Sequence, residues 1–224
     1  MLVEIWSDVV CPWCYIGKRR FESALARFEH ADQVEVRWRS FELDPRAPFR
    51  RPGNMAEHLA AKYGLSLTDA RHRLAELDRT AAAEGLDFDL AETKGGNTLA
   101  AHRLIHLAAR SGPDKAAEVK EALLRTYFID LHPISDPDVL EEVAGTAGLD
   151  EGEVRSLLEG DLFTEEVRAD EREASELGAT GVPFFVFGRA FSVPGAQDPA
   201  CGQLSARWND LDLARGLAAP RWKG

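Results

Sequence analysis

Leu2-Val3-Glu4-Ile5-Trp6-Ser7-Asp8-Val9-Val10-Cys11-Pro12-Trp13-Cys14-Tyr15-Ile16-Gly17 opens the chain, and its reading decides the fold. Residues 2–6 are mostly apolar and aromatic and predict a short buried strand. Beyond Ile16, apolar residues recur at Phe21, Leu25 and Phe28, near helical spacing, and predict an amphipathic helix. The pair in Cys11-Pro12-Trp13-Cys14 therefore lies at a helix N-terminus, where unpaired backbone N–H groups and the helix dipole favour negative charge. Such a position stabilises a thiolate, the species that attacks disulfides. Spacing and position together point to redox chemistry.

Other uses of the pair fare worse. A structural zinc site needs a second ligand pair, but the only other cysteine is Cys201, and no histidine pair follows at finger spacing. A purely structural disulfide would close too short a loop to stabilise a chain of 224 residues appreciably.

The bulk composition narrows the function further. With 45% hydrophobic residues the chain can bury one sizeable core, or form one domain carrying a large insertion. A net charge of −11 argues against nucleic acid or an anionic membrane surface as partner. Residues 1–10 hold no basic segment and no long apolar run, so no secretory leader is expected. No stretch approaches the ~18 apolar residues of a membrane span. Three cysteines do not make a disulfide scaffold, and the expected compartment is the reducing cytoplasm.

Further along, Val34 to Leu43 alternates apolar and polar residues and predicts a half-buried strand. A loop with three prolines runs to Gly53, and helix then follows helix. The expected spans are Met55 to Tyr63, Thr68 to Glu84, Thr98 to Ala109 capped by Asn97, and Asp114 to Ile129. Asp136-Pro137 reads as a cap with a first-turn proline, and Asp150 with Glu153 as a capping box. Thr164 opens a charged helix ending at Gly178, its acidic side expected to face solvent. Gly181 to Gly188 and Arg189 to Val193 predict a hairpin, with Phe184, Phe185 and Phe187 in the core, and Leu204, Trp208 and Leu211 suggest a last helix. The expected architecture is an α/β sheet domain, residues 1–53 and 163–224, interrupted by an all-helical insertion, residues 54–162.

A paired cysteine motif at the first strand–helix junction and a Val-Pro at the head of a late strand resemble the thioredoxin fold. With the helical insertion, the chain resembles the DsbA-like thiol–disulfide oxidoreductases. The opening stretch, Asn97-Thr98, Ala101-His102-Arg103-Leu104, Tyr127-Phe128, Gly181-Val182-Pro183-Phe184-Phe185 and Gly195-Ala196-Gln197 resemble the FrnE-like subgroup. The resemblance implies that Cys11 is an exposed nucleophile and Cys14 the resolving thiol. It implies that Val182-Pro183 is a cis peptide lying against them, and that Pro12, Trp13, Asn97 and Gln197 belong to the active-site surroundings. The expected partners are protein or peptide thiols and disulfides, with glutathione a candidate redox partner. The expected cofactor is none beyond a redox-active Cys11–Cys14 disulfide.

The same superfamily holds kappa-class glutathione transferases and 2-hydroxychromene-2-carboxylate isomerases, the competing reading. Those relatives typically carry serine where Cys11 stands and aspartate where Gln197 stands. A peptide-holding chaperone is a third reading, disfavoured because a pure binder needs no thiol pair. Three departures from the wider family stand out, one of them the tail after Gln197, Asp198-Pro199-Ala200-Cys201-Gly202, with no second cysteine nearby. Ile5 occupies a position where many thioredoxin-fold enzymes bury a carboxylate, with Glu4 or Asp8 as substitutes, although strand alternation puts Glu4 on the opposite face. No histidine lies between the cysteines. His102 and His106, four apart on one helix, are read as a hydrogen-bonded face rather than metal ligands, and Cys201 as a spare thiol.

Overall fold

Each strand of this protein alternates its side chains between two packed layers, and that alternation places everything else. A computed structural model describes residues 1–197. The sheet has the order β2-β1-β3-β4, with β1 at Leu2–Ser7, β2 at Glu35–Ser40, β3 at Phe184–Phe187 and β4 at Phe191–Pro194. β1 runs parallel to β2 and antiparallel to β3, which runs antiparallel to β4. Ile5 sits opposite Trp38 and Phe185, and Trp6 opposite Arg39 and Phe184. Val3, Ile5, Trp38, Phe185 and Phe187 thus share one face, and Glu4, Trp6, Arg39, Phe184 and Val186 the other.

The first face carries α1, Pro12–Leu25, whose Phe21 stacks on Phe185 with ring centroids 5.7 Å apart. Its apolar core continues without a break into the helices between β2 and β3. These are α2 (Met55–Tyr63), α3 (Leu67–Ala82), α4 (Leu99–Ala109), α5 (Pro113–Phe128), α6 (Pro137–Thr146) and α7 (Glu151–Glu159). The second face is covered by α8, Thr164–Glu176, whose Ala174 packs with Trp6, Phe184 and Val186.

Local signals explain where the elements stop. Asn54 and Glu57 form a complete capping box on α2, and Gly64 ends that helix in the left-handed conformation. Asp136 accepts from the Asp138 N–H ahead of Pro137. Asp150 caps α7 by accepting from the Glu153 N–H, which is one half of the box that its sequence suggests. Gly188 and Arg189, both at positive φ, turn β3 into β4, with the Ala190 N–H donating to the Phe187 carbonyl at 2.9 Å. Arg103 of α4 is buried and donates to the carbonyls of Leu157, Gly160 and Leu162, so a guanidinium satisfies the open end of α7.

Several expectations shift. α1 begins at Pro12 rather than near Ile16, because a proline at the first position gives up no helical hydrogen bond. Gly181 to Pro183 form bends, and β3 starts only at Phe184. α8 is not a uniformly solvated helix. Its Asp170 is buried, accepts from the Ser40 N–H at 2.8 Å and pairs with Arg39 at 2.9 Å and His106 at 3.1 Å. Glu4 lies on this same face, as alternation requires, held by Arg39 and Arg189. The expected last helix and Cys201 lie outside the described residues.

One side chain ties the cysteine-bearing helix to the helical block. Glu121 of α5 accepts from the Tyr15 hydroxyl at 2.6 Å and pairs with Lys18 at 2.5 Å and with Arg19. Although burial alone would raise its pKa, these three partners hold the carboxyl at about 2, against an ordinary 4.5. A carboxylate whose folded pKa is depressed stabilises the fold above its unfolded value, and the gain is lost as pH falls through the folded one. Glu121→Gln should therefore lower Tm near pH 7 by ~2–4 °C, the equivalent of about 1 kcal/mol in a chain of this size. The difference from wild type should shrink as pH falls from 4.5 towards 2. Thermal melts across that range check it, and a pH-independent gap would mean that the carboxylate charge is irrelevant.

Candidate active site

The site is assembled from the start of α1, the loop ahead of β3 and the end of β1. Cys11 is the N-cap residue of α1, with extended backbone at φ −90° and ψ 113°. The Cys14 N–H donates to the Cys11 carbonyl at 2.9 Å, placing Cys14 in the first turn. Both cysteines are thiols in this structure. Pro12 is half-buried, and Trp13 is 43% exposed, an apolar surface beside the sulfurs.

The Val182–Pro183 peptide is cis. The Val182 carbonyl accepts from the Cys11 thiol at 3.6 Å. Pro183 in turn lies against Gly17: a Cβ added to that glycine would come within 2.9 Å of Pro183 Cγ and 3.3 Å of Ala196 Cβ. The segment after β4 is held there by two bonds. Gly195 donates to the Pro183 carbonyl at 2.8 Å, and Arg20 to the Ala196 carbonyl at 2.7 Å. Residues 182–183 and 195–196, both far from α1 in sequence, thus close over one of its turns. Cys11 is consequently not the exposed residue that the resemblance implies; with the Val182 carbonyl against its sulfur, it is only 5% exposed.

Cys14 is buried more deeply, at 2%. Burial pushes its pKa well above the usual thiol range, and a hydrogen bond to Cys11 adds to this, while Lys120 of α5 pulls the other way. Behind it lies a set of buried charges. Lys120 donates to the Ser7 carbonyl at 3.2 Å, and its ammonium is 6.0 Å from the centre of the Trp38 ring. His102 of α4 donates from Nε2 to Asp8 at 3.3 Å, and Asp8 also accepts from the Leu43 N–H at 2.7 Å. Burial pushes Lys120 down to about 8, with the cysteines and Asp8 resisting the drop. Burial also lowers His102, leaving a neutral imidazole that donates to Asp8. Asp8 would be raised by burial, but the hydrogen bonds from His102 and the Leu43 N–H, with the charge of Lys120, outweigh this and keep it below the usual carboxylate range. A cleft of about 420 Å³ reaches this cluster from outside, lined by Asp8, Val10, Thr98 and Tyr127 and rimmed by Arg51 and His58.

Two further candidates are engaged elsewhere. The Asn97 side chain accepts from the Leu99 N–H and so helps start α4, which begins one residue later than expected. Its neighbour Thr98, not Asn97, lines the cleft. Gln197 donates its amide to the Pro194 carbonyl at 2.7 Å, closing its own turn. Sequence reading missed Gly17, Arg20 and Lys120. Lys120 alone left a signal, as a charged residue within the apolar stripe of Ala116, Val119, Leu123 and Tyr127.

The contact at Gly17 has a measurable consequence. Alanine there gains up to about 1 kcal/mol of helix propensity, but overpacking typically costs about 1–3 kcal/mol. Gly17→Ala should therefore lower stability and lift the Pro183 loop off the sulfur. Thiol alkylation kinetics, followed by mass spectrometry of the Cys11 peptide, should show several-fold faster labelling with a lower Tm. Unchanged labelling would mean that the loop does not cover Cys11.

Comparison with known proteins agrees with this architecture. The family profile described as a DSBA-like thioredoxin domain matches residues 2–202. The chain is 45% identical to a probable DsbA oxidoreductase from Streptomyces coelicolor, whose crystal structure covers 100% of this chain and 93% of its own with a TM-score of 0.86. The cytosolic disulfide reductase DsbM from Pseudomonas aeruginosa is 18% identical, covering 97% of this chain and 100% of its own with a TM-score of 0.64, and was also solved with GSH. A 2-hydroxychromene-2-carboxylate isomerase is 16% identical, covering 95% and 100% at a TM-score of 0.66. At such identities the last two share the fold and no more. The family match across nearly the whole length, together with a cysteine pair at the start of α1 beneath a cis-proline loop, makes this chain a member of the DsbA-like thioredoxin-domain family.

Proposed function

We propose that this protein is a cytoplasmic thiol–disulfide oxidoreductase of the FrnE-like type, exchanging disulfides through Cys11 and Cys14. One observation carries the reading: a thiol at a helix N-cap, beneath the Val182 carbonyl, with a second, more deeply buried thiol in the first turn behind it. In the reducing direction the Cys11 thiolate attacks one sulfur of a substrate disulfide. The substrate S–S bond breaks, a mixed disulfide forms on Cys11, and the first substrate sulfur leaves as a thiolate that takes up a proton. Cys14 then loses its proton and attacks the Cys11 sulfur, forming the Cys11–Cys14 disulfide and releasing the second substrate thiol. Run backwards, the same steps oxidise a dithiol. The electrons reside in the sulfur pair, so no further cofactor is required.

Trp13, half-buried Val182 and the cleft beside Val10 offer a protein or peptide substrate an apolar and backbone surface next to Cys11. The helical block that walls this cleft selects among substrates. Glutathione is the small-molecule partner we favour for resetting the pair, in keeping with the fold shared with DsbM. A glutathione-dependent transferase or isomerase is the weaker reading, because Cys11 replaces the serine those enzymes carry and the Gln197 amide is engaged with Pro194.

Cys14→Ala should trap substrates on Cys11 as stable mixed disulfides, whereas Cys11→Ala should trap none. Both should lose at least tenfold in insulin reduction, since either sulfur is essential to the two-step exchange. Non-reducing gels and mass spectrometry read the trapping. Equal trapping by the two variants, or glutathione conjugation with no disulfide exchange in the wild type, would sink the proposal.

A further inference from the structure

We propose that Lys120 is a positioning residue for the resolving step: its buried ammonium supplies the counter-charge that lets Cys14 become a thiolate inside the fold. The inference rests on the disulfide-exchange reading above and assigns a role to a helix that carries neither sulfur.

Lys120 is 1% exposed and donates to a single described acceptor, the Ser7 carbonyl at the end of β1. A cation withdrawn from water with only a neutral carbonyl as partner is expensive to bury, so its compensation has to come from charge that it faces. The groups that face it are Cys11, Cys14 and Lys18 from α1, Asp8 from the loop between β1 and α1, and the Trp38 ring from β2. His102 from α4 holds Asp8, and Glu171 from α8 acts on His102. The negative charges in reach of Lys120 are thus Asp8, present throughout, and a cysteine thiolate, present only during turnover. Cys14 is held to this cluster by the chain itself, since its N–H donates to the Cys11 carbonyl at 2.9 Å and the Cys11 N–H to the Asp8 carbonyl at 3.4 Å.

In the resolving step the Cys14 S–H bond breaks, its proton passes to solvent in the cleft beside Asp8, and the new thiolate attacks Cys11. The sulfur that leaves takes up a proton from solvent, so the charge is balanced at the end. During the step the thiolate is a buried anion, and without a facing cation its burial penalty would have no offset. The ammonium at Lys120 lowers that penalty without touching the substrate. Ile5 leaves no carboxylate at the usual place beneath the pair, and the lysine from α5 takes up the electrostatic task with the opposite sign.

The test uses Lys120→Met, which keeps the length and apolar stem and removes the charge. The resolving rate is read by single-turnover release of a fluorescent thiol from a preformed Cys11 mixed disulfide, across pH 6–10. The first step is read separately in a Cys14→Ala background, with and without Lys120→Met. The expected result is a resolving step slowed about tenfold or more near pH 7, with its pH profile moved up by about one unit or more. The first step should change less than about twofold, which is a pattern that general loss of structure would not give. A folded variant with unchanged resolving rate and profile would overturn the role. Should Lys120→Met fail to fold, wild-type protein carrying 13C-labelled lysine gives an independent answer by NMR. Lys120 should then titrate at higher pH in the reduced protein than in the oxidised one, where no thiolate faces it, and identical titration would overturn the role. Absence of any disulfide exchange by wild type would instead reject the parent reading, so the two failures are distinguishable.

Discussion

A thiol can be covered by the backbone of a distant strand only if nothing projects between them. Gly17 meets that requirement: one turn beyond Cys14, it leaves the space that Pro183 and Ala196 fill. With Pro183 seated there, the Val182 carbonyl reaches the Cys11 sulfur, and β3 is delivered alongside β1 in the register that pairs Trp6 with Phe184. The same helix carries Phe21 onto Phe185 and Arg20 onto the Ala196 carbonyl. The missing side chain at residue 17 therefore fixes the distance between α1 and the sheet, and the geometry around the sulfurs follows from it.

The two faces of the sheet handle buried charge in different ways. On the α8 side, Glu4, Arg39, Asp170 and Arg189 pair among themselves, and each buried carboxylate meets a guanidinium. Such a network fixes the position of α8 and leaves little charge to respond to anything else. At the end of β1, beside Cys14, the balance is looser. Asp8 has a neutral imidazole and a backbone N–H, and Lys120 has a carbonyl. A cluster that is not closed on itself can answer a change of charge next to it, which is what a titrating sulfur would present.

Much of this was legible in the sequence, for physical reasons that can be named. The strands and most helices followed from apolar spacing and capping residues, as with Asp136 and Asp150, because these signals are local. The sulfur pair and the cis-proline loop were legible through their motifs. What escaped depends on partners far along the chain. The Gly17 contact spans 166 positions to Pro183, and nothing in the residues flanking either one announces it. Asp170 looked like one more acid on an acidic helix until Ser40 and Arg39 were placed opposite it. Gln197 was expected among the active-site surroundings, and the bond of its amide to the Pro194 carbonyl is one that no local pattern signals.

The sheet order also bears on how the protein comes into being. β1 is synthesised well before its sheet neighbour β3, which begins only at Phe184. At about 5–20 residues per second, roughly 10–30 s separate synthesis of the cysteines from synthesis of the loop that covers them. During that interval the nascent chain presents both sulfurs bare, with no Val182 carbonyl over Cys11. An enzyme built to react with disulfides thus spends its own birth as an unguarded dithiol. The reactive sulfurs are made early and sheathed late, so the covering of Cys11 is a late event in the folding of this chain.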